Sequence, residues 1–153
     1  MLSSVINGVK IAGISSAIPS TRVDSTAYEA VFGEETVRKT IESTGVCSTY
    51  HSVKQQTASD LAYAAAKNLL EKRGVDPSEI GILLFICAHH DYIAPATAFG
   101  LQKRLGIPMD SIVFDVNLGC SGFVYGLQLG ASLLKTSMRF SLRTPRILLR
   151  QML

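Results

Sequence analysis

"FDVNLGCSGFVYGLQLGASLLK", Phe114 to Lys135, sets one cysteine between the end of an apolar strand and a helix ridged with glycine. Gly122, Gly126 and Gly130 recur every fourth residue and so share one ridge. A helical glycine costs about 1 kcal/mol relative to alanine. The ridge therefore predicts close backbone packing and a deeply buried helix that seats the cysteine rigidly. Cys120 itself carries two readings. A residue between a strand's C-terminal end and a helix N-terminus faces the usual ligand crevice of an open α/β sheet. Free cysteine is also among the most buried residue types and serves as core filler. Helix N-termini in general favour thiolate by about 0.3–1 kcal/mol, too little alone to make a catalyst, which needs a base and an oxyanion hole.

Working outward, the residues just before this stretch, "SIVFDV" (111–116), read as a short buried strand. "DPSEIGILLFICA" (76–88) reads as a turn and a fully buried strand, the pattern of a parallel sheet covered on both faces. "TASDLAYAAAKNLLEKRG" (57–74) spaces Ala, Leu and Tyr by three and four, from a threonine to a closing glycine, and predicts an amphipathic helix. The loop "HHDYIAP" leads into a further helix, "ATAFGLQKRLG" (96–106). Earlier, "GVKIAGISSAIPS" (8–20) predicts a strand ending in a proline turn. Short helices follow around Ser25–Phe32 and Glu34–Thr44, the second stopped by Gly45. Strands alternating with helices predict an α/β fold with right-handed crossovers.

The chain of 153 residues has one domain's worth of length, and 47% hydrophobic against 18% charged residues predicts a folded protein. Its longest apolar run, Gly81–Ala88, is too short for a membrane span of about 20 residues. "MLSSVINGVK" lacks the basic and apolar regions of a secretory signal, so a cytoplasmic location is expected. Cys47, Cys87 and Cys120 cannot all pair and are expected as free thiols. Cys87, inside "LLFICA", is expected in the core. "CAHHD" offers Cys87, His89 and His90 as a metal-binding alternative, but Cys87 lies in the buried strand and no second ligand cluster exists, so no metal is expected. Residues 1–134 carry ten Lys and Arg against twelve Asp and Glu, while Lys135, Arg139, Arg143, Arg146 and Arg150 meet no acid. The basicity is confined to the end, and no nucleic-acid surface is expected on the body.

"DVNLGCSGFVYGL" (115–127) resembles the nucleophile segment of the β-ketoacyl-acyl-carrier-protein synthase III family of thiolase-like condensing enzymes. In order along the chain, "KIAGISSAIPSTRV", "STGV", "TASDLAYAAAKNLLEKRGVDPSEIGILLFICA" and "APATAFGLQKRLGI" resemble that family's opening strand, Thr-Gly element, first long helix with central strand, and Pro-Ser/Ala helix. The resemblance runs from about Gly8 to Thr136. It implies the N-terminal half of a thiolase-like αβαβα fold, normally a homodimer. Cys120 is then the catalytic acyl acceptor, its own N–H part of an oxyanion hole. The reaction implied is a Claisen condensation in fatty-acid or related acyl biosynthesis. Acyl-coenzyme A and malonyl-acyl carrier protein are the substrates, acyl carrier protein is the partner, and no cofactor stays bound; the coenzyme-binding residues are left unassigned.

Three departures qualify this. Cys47 stands where the family usually has arginine and Lys39 where it has tryptophan, and both weigh against a free acyl-coenzyme A primer. Ala94 replaces an aromatic residue that shapes the partner subunit's acyl pocket. The family's catalytic His and Asn belong to its second half, and His51, His89 and His90 do not match them, so the chain alone is expected to be incompetent for condensation. Residues 1–136 are thus expected as the thiolase-like half, and 137–153 as an atypical basic tail that does not resemble the family's next strand and has the character of a frameshifted end. The competing expectation is a non-catalytic remnant or interaction fragment.

Overall fold

The computed structural model describes residues 5–137 and 146–152. Two compact units divide them, Ile18–Thr57 and the residues on either side of it. In the smaller unit β1 (Thr21–Asp24) pairs antiparallel with β2 (Ser48–His51), Thr21 opposite His51 and Asp24 opposite Ser48. Between them a 3-10 turn, Ser25–Tyr28, leads into α1 (Glu29–Phe32) and α2 (Glu34–Thr44). Gly45 ends α2 at φ +72°, its N–H bonded to the Ile41 carbonyl, a left-handed position that glycine takes without a Cβ penalty. The helices stand where the sequence predicts them; β1 and β2, four largely polar residues each, carry no apolar pattern that would reveal them.

The larger unit runs α3 (Ala58–Arg73), β3 (Ile80–Cys87), α4 (Thr97–Leu105), β4 (Ile112–Val116), α5 (Gly122–Ser137) and β5 (Arg146–Met152). The turn before β3 is held by Asp76, whose carboxylate accepts the Ser78 N–H at 2.8 Å while Glu79 accepts the Asp76 N–H at 3.2 Å. These bonds to Ser78 hold the Asp76 carboxyl below its ordinary value. The lowered folded value means the cap acts above the ordinary carboxylate range and is lost as pH falls through it.

β3 is the middle strand of a parallel sheet ordered β4-β3-β5. Ile82, Leu84, Phe85 and Ile86 have no exposed surface. Because side chains alternate along a strand, β3 feeds two cores. Leu83, Phe85 and Cys87 pack with Ala62, Ala66 and Leu70 of α3 and Ala98, Leu101 and Leu105 of α4. Ile82, Leu84 and Ile86 meet Phe114 and Val116 of β4 and Leu129, Leu133 and Leu134 of α5. The unit is a helix–sheet–helix sandwich.

Two expectations change. Gly8–Ser20 forms no strand, and its Ile11, Ile14 and Ile18 are 62%, 80% and 64% exposed. A strand exists only where a neighbour accepts its hydrogen bonds, and this segment pairs with no strand among the described residues. β5 pairs with β3 inside the region expected as an atypical basic tail. Of the tail, 137–153, residues 138–145 and Leu153 lie outside the described residues, as do Met1–Ser4 of the chain's opening. α5 buries its glycine ridge, Gly122, Gly126 and Gly130, as expected. It is not buried all round: Phe123, Val124 and Tyr125 are 47%, 68% and 62% exposed.

Phe85→Ala should cost about 3–5 kcal/mol in urea unfolding, the range for a fully buried aromatic. The apolar flank of α5 should make the chain self-associate with rising concentration in sedimentation velocity. Val124→Lys should weaken that association without loss of fold.

Candidate functional site

The site lies where β3 and β4 end. Beyond Val116 the chain turns, with the Leu118 N–H bonded to the Val116 carbonyl at 3.1 Å and the Gly122 N–H to the Gly119 carbonyl at 2.8 Å. α5 starts at Gly122, so Cys120 stands at the junction of strand and helix as the sequence predicts. Its side chain is exposed, unlike that of a core filler. Among the described residues the Cys120 thiol has no hydrogen-bond partner. A methyl group on Gly119 would lie 4.0 Å from the Cβ of Ala88, so the turns after β3 and β4 run side by side.

Asp115, on β4 and five residues before the cysteine, ties these turns together. Its Oδ2 accepts the Thr97 N–H at 2.7 Å and its Oδ1 the Ala98 N–H at 2.8 Å. Those N–H groups are orphan donors of the first turn of α4, so a strand carboxylate caps the neighbouring helix and gains from its dipole. His90 reaches the same group, with Nε2 4.0 Å from Asp115 Oδ2 and its ring edge-on to Phe85 at 5.5 Å between centroids. That Nε2 is buried without a hydrogen bond. The loop has further anchors. The Cys87 thiol donates to the His89 carbonyl at 3.1 Å, and Asp91 accepts the Ser59 N–H of α3 at 3.4 Å. The Tyr92 N–H donates to Thr97 Oγ1 at 3.3 Å.

Within the larger unit, no hydrogen bond among the described residues joins Cys87, His89 or Ala94 to Cys120. Cys87 is buried in β3, as expected of a core thiol. His89 is exposed, and no group of three or more His, Cys, Asp or Glu among the described residues is placed to hold a metal ion. Ala94, before a cis Pro95, is exposed in the loop leading to α4. Cys47, Lys39 and His51 belong to the smaller unit. Cys47 is exposed, Lys39 pairs with Glu35 at 2.8 Å, and His51 Nε2 lies 2.9 Å from Thr49 Oγ1. Asp115 escaped the sequence reading. Its signal was a lone charge inside "SIVFDV", since a carboxylate in a covered strand requires partners.

The geometry and the sequence have close relatives. A β-ketoacyl-[acyl-carrier-protein] synthase III of Rhizorhabdus wittichii is 35% identical over 125 residues, which are 82% of this chain and 39% of that protein. The crystal structure of a 3-oxoacyl-(acyl-carrier protein) synthase from Burkholderia xenovorans LB400 superposes with a TM-score of 0.79 at 32% identity, over 89% of this chain and 38% of that one. A 3-oxoacyl-(acyl-carrier-protein) synthase III structure at 2.1 Å gives 0.82 at 32% identity, over 92% and 40%. The chain belongs with the β-ketoacyl-acyl-carrier-protein synthase III family. It spans about two fifths of the length of the relatives it matches. A synthase III from Thermus thermophilus, 22% identical with a TM-score of 0.75, shares the thiolase-like fold. No family model matches the chain. No helix among its described residues is long and apolar enough to cross a membrane.

Asp115→Ala should lower unfolding stability by about 2–3 kcal/mol in urea titration, because two donors in the first turn of α4 lose their acceptor. Asp115→Asn, which keeps one acceptor oxygen, should cost about half as much.

Proposed function

We propose that this chain carries the acyl-accepting cysteine of a synthase III-type condensing enzyme, with Cys120 as the nucleophile. The observation that supports it is the exposed thiol at the strand-to-helix junction. In this reading the Cys120 thiolate attacks the carbonyl of an acyl-coenzyme A thioester, an S–C bond forms, and the coenzyme thiolate leaves and takes up a proton. The N–H groups of the turn that opens α5, that of Cys120 among them, face the developing oxyanion. The malonyl group of malonyl-acyl carrier protein then loses carbon dioxide. The electron pair of its broken C–C bond attacks the acyl carbon, and Cys120 departs as thiolate. Acyl carrier protein is the partner, a cytoplasmic homodimer is the setting, and residues 1–136 are the working portion.

A second reading, a non-catalytic fragment, is favoured by one observation. Among the described residues no base is hydrogen-bonded to the Cys120 thiol, and a cysteine nucleophile normally has one.

Intact-mass measurement after incubation with acetyl-coenzyme A, and separately with acetyl-acyl carrier protein, tests the proposal. One acetyl group should be gained by the chain and by Cys47→Ser but not by Cys120→Ser. Discharge by malonyl-acyl carrier protein is not expected from this chain alone, because none of its residues matches the family's catalytic His and Asn. A chain that is never acetylated on Cys120 overturns the first reading and selects the second.

A further inference from the structure

We propose that His90 is a positioning residue for the Cys120 turn: its imidazole carries a proton on Nε2 and donates it to Asp115 Oδ2, tying the loop after β3 to the strand that ends at the cysteine. Its bearing on catalysis rests on Cys120 as the nucleophile. Only 11% of the His90 side chain and 15% of the Asp115 side chain is exposed, and His90 Nε2 is buried with no hydrogen-bond partner among the described residues. An unpaired buried nitrogen is costly, so a partner within reach decides its state. Asp115 Oδ2 is that partner, 4.0 Å away. It accepts the Thr97 N–H at 2.7 Å, and a carboxylate oxygen has a second lone pair to offer. Phe85, wholly buried, stands at 71° to the imidazole with 5.5 Å between centroids and limits how far the ring can swing away.

Electrostatics selects the tautomer. A neutral imidazole carries its N–H proton on one ring nitrogen or the other. With the proton on Nδ1, Nε2 would turn a lone pair toward a carboxylate in a site sheltered from water, where repulsion is weakly screened. With the proton on Nε2 the same approach is attractive. A charge-assisted hydrogen bond forms once the loop draws in by about 1 Å.

The loop is already fastened to both neighbouring helices. Asp91 accepts the Ser59 N–H of α3 at 3.4 Å, and the Tyr92 N–H donates to Thr97 Oγ1 of α4 at 3.3 Å. His90 adds the link to β4. Asp115 lies in that strand, and the chain runs from it through Val116 into the turn that presents Cys120. The loop also abuts that turn directly, since a methyl group on Gly119 would lie 4.0 Å from the Ala88 Cβ. Fixing the loop to Asp115 therefore holds the cysteine turn from two directions, through its own strand and through the neighbour it rests on.

Heteronuclear NMR of the full chain, isotope-labelled at histidine and backbone nitrogens, tests this with His90→Phe and His90→Gln beside the parent. His90→Phe keeps a ring and removes the donor, whereas His90→Gln loses the ring and keeps an N–H at similar reach. At about pH 8, where imidazole is ordinarily neutral, the parent's imidazole signals that vanish in both variants should show the proton on Nε2. The Leu118 and Gly122 amides are bonded within the cysteine turn. Their exchange should quicken about tenfold in His90→Phe and stay within about twofold of the parent in His90→Gln. Acetylation of Cys120 by acetyl-coenzyme A should slow in step, and only in His90→Phe. A bare Nε2 in the parent overturns the proposal. So does a turn loosened by neither variant, by both alike, or by His90→Gln alone, because packing of the ring would then be the whole of its role. A parent that is never acetylated defeats Cys120 as the nucleophile, and the tautomer and exchange rates still decide on His90.

Discussion

The burial of β3 on both faces is the constraint from which the larger unit follows. Five consecutive residues, Ile82 to Ile86, are each at most 2% exposed, and a strand in that condition cannot be covered by one layer. Its odd and even side chains need separate partners, which α3 with α4 and α5 supply. The same condition explains the parallel sheet. Helices on both faces arise naturally when each strand is joined to the next by a helical crossover, as β3 is to β4 through α4. It also explains why the turns after β3 and β4 share one end of the sheet, since every crossover leaves from the C-terminal ends of the strands.

At that end a single carboxylate does what a local capping residue does elsewhere. α4 begins after Ala96, which has no side-chain oxygen, and its capping acceptor comes from Asp115 on a different strand. A carboxylate this far from water requires ordered donors, and the backbone N–H groups of Thr97 and Ala98 provide them. The outcome is positional. Because Asp115 is joined to Cys120 by four intervening residues, the turn that presents the thiol is referenced to α4 and to the loop after β3, not to β4 alone.

How legible was this from the residues? α2, α3, α4 and β3 could be read because their signals are local: apolar spacing of three and four, a continuous apolar run, and glycine at the helix stops Gly45 and Gly106. The position of Cys120 was legible for the same reason, as a junction between two periodicities. The pairing of β1 with β2 was not, since it joins residues more than twenty apart that have no pattern in common. Asp115 was visible as an anomaly but not as a cap, because its partners lie seventeen and eighteen residues earlier.

The opening segment marks the boundary most clearly. Its residues are those of a strand, yet it pairs with no strand among the described residues, while "RILLRQM" lies beside β3. The sequence by itself determined the helices, the central buried strand, and a cysteine at a strand-to-helix junction, because each is specified by contacts within a few residues. Only the tertiary structure decided which segment flanks β3, what caps α4 and which face of α5 remains exposed. Hydrogen-bond partners across a sheet and cover for an apolar face are supplied by residues distant in the chain, and no local pattern names them.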